Sequence, residues 1–128
     1  MAGAKSDRIM IFELIKRTML PGTRIPKPKS KETYRFVRWG FSRGEEALVY
    51  QIPAKPGTKK LSTKRIPRSV FEEAYETLLN KGEITKVWFA NAFPKVDADG
   101  SCNFTTLGGI FQILNLAEWA GEGVYRRL

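Results

Sequence analysis

Arginines interleaved with aromatic residues form the clearest chemical pattern in this sequence. The segment reads Tyr34-Arg35-Phe36-Val37-Arg38-Trp39-Gly40-Phe41-Ser42-Arg43. A sheet face that exposes rings beside arginines binds single strands by stacking and charge. Alternatively, the rings enter the core and the arginines face solvent, which is the arrangement we expect for Tyr34, Phe36 and Trp39. Under both interpretations Arg35, Arg38 and Arg43 remain available to phosphate groups.

Two proline-containing segments, 24–31 and 55–68, add further positive charge. Together they hold ten basic residues and no acidic residue. We expect both to be extended tethers that follow a phosphate backbone, although solubility or loop chemistry would explain them as well. The residues of the second tether that we expect at phosphates are Lys59, Lys60, Lys64, Arg65 and Arg68.

Catalytic and metal-binding chemistry is poorly supported. The chain has no histidine, and Cys102 is its single cysteine, so the commonest general base, the commonest metal ligand and any intrachain disulfide are excluded. The segment 97–103 begins like a calcium loop, but Gly100 is its fourth residue rather than its sixth, and Gly108 stands where the terminal glutamate belongs. We expect no enzyme activity, no cofactor and no metal site.

Charge is distributed unevenly along the 128 residues. The formal net charge is +9 and the pI about 9.9. Residues 1–68 carry 17 basic and five acidic groups, whereas residues 69–128 carry five basic and eight acidic groups. A basic protein favours an anionic partner, of which nucleic acid is the commonest. The lone cysteine and the short apolar run 9–12 favour a cytoplasmic protein without a membrane span.

The apolar spacing predicts a helix over Asp7–Leu20, ended by Pro21-Gly22. Its apolar residues cover most of the circumference, so either the rest of the chain or a second copy must cover it. Glu32–Trp39 and Glu45–Ile52 are expected strands around a turn at 40–44, with a bulge near Arg38, and Leu61–Ile66 is a weaker candidate for a third.

The second half alternates helices with short extended segments. Ser69 and Glu72 fit a capping box at the start of a helix that Gly82 ends. Thr85 is expected to cap a second helix over Lys86–Phe93, followed by a polar loop over Lys95–Asn103 in which Ser101 or Asn103 caps the next helix. That third helix is expected over Phe104–Leu116, before a hairpin over Ala117–Leu128 that turns at 121–123.

This order of helices, caps and terminal hairpin resembles the winged helix-turn-helix class over residues 69–128. The resemblance implies that the third helix enters the DNA major groove, with Thr105, Gln112 and Asn115 as base-reading candidates. It also implies that the terminal hairpin contacts the backbone through Arg126 and Arg127. The third helix, however, contains no arginine or lysine, and Glu122 at the hairpin tip would repel phosphate.

Gly108 and Gly109 would lie on the same groove-facing side of the third helix. A glycine pair permits close packing against a neighbouring element or a second copy, and it equally permits close approach of a DNA backbone. Winged helices also serve as dimerisation or protein-docking modules, so both interpretations remain open at this point.

We therefore expect an α+β protein with three parts: an N-terminal helix over 1–22, a basic β-hairpin region over 23–68, and a winged-helix-like domain of three helices and a hairpin over 69–128. All three could form one unit. The expected function is binding of nucleic acid, DNA rather than RNA, with modest sequence specificity and a role such as transcription regulation. The alternative is a protein-interaction module, with a homodimer through the N-terminal helix or the Gly108-Gly109 surface.

Overall fold

The computed structural model describes residues 4–53 and 62–128, with side chains from residue 10 onward. In chain order, these residues form the elements α1 (Ala4–Thr18), β1 (Arg24–Pro26), β2 (Thr33–Ser42), β3 (Glu45–Ile52), β4 (Ser62–Pro67), α2 (Arg68–Lys81), β5 (Glu83–Thr85), α3 (Lys86–Ala92), α4 (Pro94–Asp99), α5 (Cys102–Ile113), β6 (Ala117–Gly121) and β7 (Val124–Arg127). The expected α+β class is confirmed.

Strands β1 to β4 form an antiparallel sheet in chain order. The turn between β2 and β3 is shorter than expected, because β2 continues to Ser42 and only Arg43 and Gly44 connect the strands. Both have positive φ, 54° and 81°, which suits the right-handed twist of a two-residue hairpin. The expected bulge is confirmed, since the register with β3 shifts between Phe36 and Arg38.

The first tether is partly a strand, so the expectation of an unpaired segment over 24–31 is wrong at its start. Arg24, Ile25 and Pro26 pair with Arg35, Tyr34 and Thr33 of β2. Pro26 has no N–H to donate, which restricts it to an edge strand such as β1. In the second tether, Ser62–Pro67 forms β4, while residues 54–61, including Lys59 and Lys60, lie outside the described residues.

Helix α1 is covered by its own chain on one side. Ile11, Phe12, Ile15 and Met19 are buried. The Phe12 ring centroid lies 5.4 Å from that of Trp39 in β2 and 6.4 Å from that of Phe71 in α2. The helix therefore packs on the inner face of the sheet and against α2. It ends at Thr18, two residues before the expected end.

The start of α2 differs from the expected capping box. Because Pro67 ends β4 and the helix begins at once, Ser69 lies inside the first turn and makes no capping bond. Instead, the Glu45 carboxylate accepts the Ser69 backbone N–H at 2.5 Å and its hydroxyl at 3.0 Å. A residue of β3 thus binds the helix N-terminus, where negative charge is favourable. The expected left-handed Gly82 at the other end is confirmed, with φ 80°.

The second sheet has the strand order β5-β7-β6. The expected hairpin is confirmed as β6 and β7, and Thr85 caps α3 by accepting the Trp88 N–H at 3.0 Å. The expected polar loop over Lys95–Asn103 is wrong at both ends, since Pro94–Asp99 forms α4 and α5 already begins at Cys102. Proline is tolerated in a first helical turn, so Pro94 ends one helix and begins the next.

Helix α5 is enclosed by the rest of the chain. Eight of its residues are buried: Asn103, Phe104, Thr106, Leu107, Gly108, Gly109, Ile110 and Phe111. A Cβ atom at Gly108 would lie 2.2 Å from the Tyr125 ring, and one at Gly109 would lie 2.7 Å from the Pro26 carbonyl oxygen. The glycine pair therefore packs inside the chain, against β7 and β1, and presents no flat surface to a second copy or to DNA.

A buried polar contact fixes α5 against the first sheet. The Tyr50 hydroxyl of β3 donates to Asn103 Oδ1 at 2.6 Å, and Asn103 Nδ2 donates to the Val96 carbonyl of α4 at 2.8 Å. Asn103 is therefore a buried cross-link rather than a helix cap. Burial raises the pKa of the Tyr50 hydroxyl, so this group remains a neutral donor.

The close approach at Gly109 predicts that Gly109→Ala lowers the free energy of unfolding by about 1–3 kcal/mol, because backbone of β1 has to move. Urea unfolding followed by circular dichroism measures the change. Gln112→Ala, on the half-buried part of the same helix, is the control and should change stability by no more than about 0.5 kcal/mol. A stability gain at Gly109→Ala, as expected for an open helical glycine, would contradict the packing described.

Candidate nucleic-acid interface

The alternation of the first sheet places arginines on one face and the core on the other. Phe36, Trp39 and Leu48 point toward the helices and pack in or against the hydrophobic core. The residues that alternate with the inward-facing positions along each strand point outward, and four of these residues are exposed arginines. We call this surface the arginine face; it consists of Arg24 of β1, Arg35 and Arg38 of β2, and Arg65 of β4.

The strand register brings these arginines into two neighbouring rows. Arg24 is paired with Arg35, and that row continues across the sheet through Gln51 and Thr63. The second row runs from Arg38 through Val49 to Arg65. Neighbouring strands lie about 4.8 Å apart, so the four arginines project from neighbouring positions on one face of the sheet.

Positive charge on the arginine face is not neutralised within the described part of the chain. The ion pairs among residues 10–53 and 62–128 involve other cations, namely Lys16, Lys29, Arg43, Arg68 and Lys86. Among the described residues, Arg65 makes one polar contact, a hydrogen bond from Nη1 to the Phe41 carbonyl at 2.5 Å. The four guanidinium groups thus keep most of their donors for an external anion.

The aromatic residues of the hairpin do not belong to this surface. Tyr34 and Phe36 are buried, and Trp39 packs with its ring centroid 5.3 Å from that of Phe36. The expectation that these rings are core is confirmed. Phe41 is the exposed ring of this segment, and it lies at the hairpin end. The described part of the arginine face therefore offers charge and hydrogen-bond donors but no aromatic platform for unpaired bases.

Three other arginines and lysines expected at phosphates have partners inside the chain. Arg43 is paired with Asp99 at 2.9 Å, and Lys64 Nζ donates to the Asp99 carbonyl at 2.7 Å. Arg68 is paired with Glu72 at 3.2 Å and lies over the Phe12 ring at 4.7 Å. These contacts tie the first sheet to α4 and α1 to α2, so the structure gives each of the three side chains an internal role.

The hairpin arginines lie in a mixed electrostatic environment. In the second sheet Arg126 is directly opposite Glu83 on one side and Glu118 on the other. Arg127 donates to the Leu79 carbonyl at 3.2 Å. At the hairpin tip, Glu122 is paired with Lys29, which holds the pKa of that carboxyl below its usual value. Compared with the arginine face, this region carries less uncompensated positive charge.

The three base-reading candidates do not form one row along a helix. Thr105 lies 2.9 Å from the Tyr34 hydroxyl and donates to the Cys102 carbonyl at 3.0 Å. Gln112 is half-buried. Asn115 lies beyond the end of α5 with a left-handed φ of 58°, so the expectation that it belongs to the helix is wrong. Between them, Gly108 and Gly109 are covered, and base reading by these residues stays a prediction.

A cleft of about 670 Å³ separates the first sheet from the second. Tyr34, Cys102 and Thr105 lie on its wall, with Lys27 and Lys86 at its margin. Burial raises the pKa of Tyr34 and lowers that of Lys86, which is also paired with Asp97. Within the described residues, no three metal-ligating side chains are grouped, and no helix is long and apolar enough to cross a membrane.

From the sequence, Arg24 is expected at phosphate only as part of a tether, and its position beside Arg35 on the sheet is missed. The signal was present in the pairing of two short alternating segments, Arg24-Ile25-Pro26 and Thr33-Tyr34-Arg35, which place an arginine on the same side of each strand. In the comparisons with known proteins, no family model, no curated protein and no solved structure matches this chain.

Proposed function

We propose that residues 68–128 form a winged helix-turn-helix with one additional short helix. The order α2, β5, α3, α5, β6, β7 and the sheet order β5-β7-β6 support this, with α4 inserted before the third long helix. In that class the third helix reads the major groove. Here the corresponding helix α5 is buried beneath β1 and β7, which favours a structural role for it.

We further propose that the protein binds nucleic acid through the arginine face. The observation that carries this proposal is the presence of four exposed arginines on adjacent strands, without an ion pair in the described part of the chain. Phosphate oxygens are the natural acceptors for such a surface, because guanidinium groups bind them in bidentate fashion. The net charge of +9 attracts a polyanion from a distance as well.

The same surface favours a duplex over a single strand, and phosphate contact over base reading. Stacking of unpaired bases requires exposed rings, whereas Tyr34, Phe36 and Trp39 pack in or against the core and the exposed Phe41 lies at the hairpin end. Arginines on a sheet that does not enter a groove contact the sugar–phosphate backbone, which carries no sequence information directly. We therefore propose duplex DNA as the ligand, bound with modest sequence specificity, and a role such as transcription regulation.

Replacing Arg35, Arg38 and Arg65 together by glutamine tests the proposal. We expect the triple variant to bind random duplex DNA at least tenfold more weakly at low salt, with a shallower slope of log K against log salt because about two to three fewer phosphates are neutralised. Fluorescence anisotropy across a salt series measures both quantities.

A matched control carries the same loss of three charges elsewhere: Lys81→Gln, Lys95→Gln and Arg126→Gln, all at exposed positions of residues 68–128. It should reduce affinity far less than the arginine-face variant. Equal losses in the two triple variants would show that net charge alone drives binding, and unchanged binding in the arginine-face variant would remove that face as the contact surface.

A second candidate function, self-association through α1, has its own support. The side of α1 that faces away from the core exposes Met10 by 67 % and Leu14 by 36 %, and Leu20 just beyond the helix is 65 % exposed. A groove of about 200 Å³ runs beside Met10 and Leu14, lined in part by Tyr75 of α2 and by Leu116. Large exposed apolar side chains that are grouped in this way are typical of interaction surfaces.

The occupant we propose for this surface is a second copy of the chain, because the exposed stripe is complementary to itself. Glu13 and Arg17 are both exposed between the apolar residues. If two α1 helices pack antiparallel around a two-fold axis near residue 15, Met10 meets Leu20 of the second copy, and Glu13 meets its Arg17. Such reciprocal contacts are what a two-fold interface requires.

Charge reversal tests the dimer. Glu13→Arg or Arg17→Glu alone should raise the dimer dissociation constant about tenfold, because two ion pairs become repulsive. The double variant should restore it, since the charges are exchanged. Sedimentation equilibrium measures the constants, and circular dichroism checks that α1 remains folded. A parent protein that stays monomeric at every attainable concentration would exclude the interface.

A further inference from the structure

Two guanidinium groups of the arginine face converge on one point of the sheet. Arg38 and Arg65 are neighbours of Val49 on opposite strands, so their Cα atoms lie two strand spacings apart, roughly 10 Å. Their side chains nevertheless lean together above Gly40. A Cβ atom built on Gly40 would lie 2.8 Å from Arg38 Nη1 and 3.8 Å from Arg65 Nη1.

Gly40 supplies the space for this convergence. It is not among the glycines with positive φ, so the backbone conformation does not demand glycine here. A side chain at this position would displace the Arg38 guanidinium group, and its Cβ atom would lie 3.2 Å from Val49 Cγ2. Val49 is only 1 % exposed even though it points to the outer face. Val49 and Gly40 thus form an apolar floor beneath the two guanidinium groups.

Two guanidinium groups that lie this close to the same point repel each other, and the repulsion is stronger near a protein surface than in bulk water. In the described part of the chain no carboxylate is paired with either arginine. Arg65 donates one N–H to the Phe41 carbonyl, which orients its guanidinium. Both Nη1 atoms lie near Gly40, and the other N–H groups of the two arginines make no hydrogen bond within the described residues, so an anion bound beside both guanidinium groups would relieve the repulsion.

We propose that Arg38 and Arg65 bind one phosphate group between them, above Gly40, as a two-arginine clamp. This inference deepens the proposed function and rests on it, because it assigns a single phosphate of the bound duplex to a defined position on the arginine face. A phosphate group suits the clamp because it presents several acceptor oxygens to two planar donor forks. Arg24 and Arg35, in the neighbouring row, contact other phosphates and do not share this one.

A phosphodiester of nucleic acid and free inorganic phosphate have the same recognition chemistry. The clamp therefore predicts binding of both, with the duplex bound more tightly because the rest of the arginine face contributes. Titration of inorganic phosphate into the full-length protein, followed by the NMR signals of the arginine Nε–H groups, should shift Arg38 and Arg65 together. The signal of Arg24 should change much less.

A double-mutant cycle on duplex DNA binding is the decisive experiment. Arg38→Gln and Arg65→Gln should each weaken binding roughly tenfold, and the double variant should be scarcely weaker than either, because one shared phosphate is lost once. The matched cycle pairs Arg24→Gln with Arg65→Gln. Those two residues are in different rows, so their fold-losses should multiply.

Gly40→Ala provides an independent variant that removes no charge. Its Cβ displaces the Arg38 head group, so we expect a several-fold loss in affinity for both the duplex and inorganic phosphate. Ser42→Ala, on the same strand, is the control and should bind as the parent does. Urea unfolding of Gly40→Ala verifies that the fold is retained, and Arg38→Gln tests the same contact without altering the sheet backbone.

The outcomes separate the clamp from the proposed function. If the fold-losses in affinity of Arg38→Gln and Arg65→Gln multiply, as those of the control pair do, the clamp is wrong although the duplex still binds at the arginine face. If inorganic phosphate shifts Arg38 and Arg65 but no duplex binds, the clamp holds for free phosphate and the proposed function fails. If neither ligand binds, both are overturned.

Discussion

Over most of its length, helix α5 is buried on the sides that carry its apolar residues and its glycines. The surrounding elements of the fold cover it. Phe104, Leu107, Ile110 and Phe111 are all buried, and each such side chain contributes about 1.5–3 kcal/mol of transfer free energy. The covering elements are the edge strand β1 on one side and the terminal hairpin on the other. Their close approach depends on Gly108 and Gly109, where a methyl group would collide with Tyr125 or with the Pro26 carbonyl.

This constraint determines where positive charge is available. Strand β1 packs against α5 on its inner side and pairs with β2 as an edge strand, which adds Arg24 to the outer row of the sheet. Because α1 and α2 occupy the inner face, the arginines of β2 and β4 are left on the outside. The second half of the chain, which is acidic overall, provides the partners for Arg43, Arg68 and Lys86. The uneven charge of the sequence thus becomes a difference between two surfaces of one structure.

Much of the local structure could be predicted from sequence because its signals are local. The bulge near Arg38, the Thr85 cap, the left-handed Gly82 and the terminal hairpin each depend on residues adjacent in the chain. The missed features depend on distant ones. At the start of α2, the capping role expected of Ser69 is taken by Glu45, which lies 24 positions away in the chain. The segment of β1 is a strand because it pairs with β2.

Predictions about the candidate site divide in the same way, between features that depend on adjacent residues and features that depend on distant ones. Strand alternation correctly assigned Arg35 and Arg38 to solvent and the rings of Tyr34, Phe36 and Trp39 to the core. It could not show that Arg43, Lys64 and Arg68 have internal partners, since their acceptors, Asp99 and Glu72, become neighbours only through tertiary packing or the start of a helix. It also could not show that the groove-facing side of α5 is covered, because the amphipathic pattern of a helix does not reveal what packs on its second side.

We propose that the outer face of the first sheet, rather than helix α5, contacts nucleic acid. Mapping of backbone amide shifts in ¹H–¹⁵N spectra during titration with duplex DNA distinguishes the two surfaces. We expect the largest changes at Arg35, Arg38, Val49 and Arg65, and small changes at Gly108 and Gly109. Largest changes at Gln112, Asn115 and Arg126, with the first sheet unaffected, would contradict it.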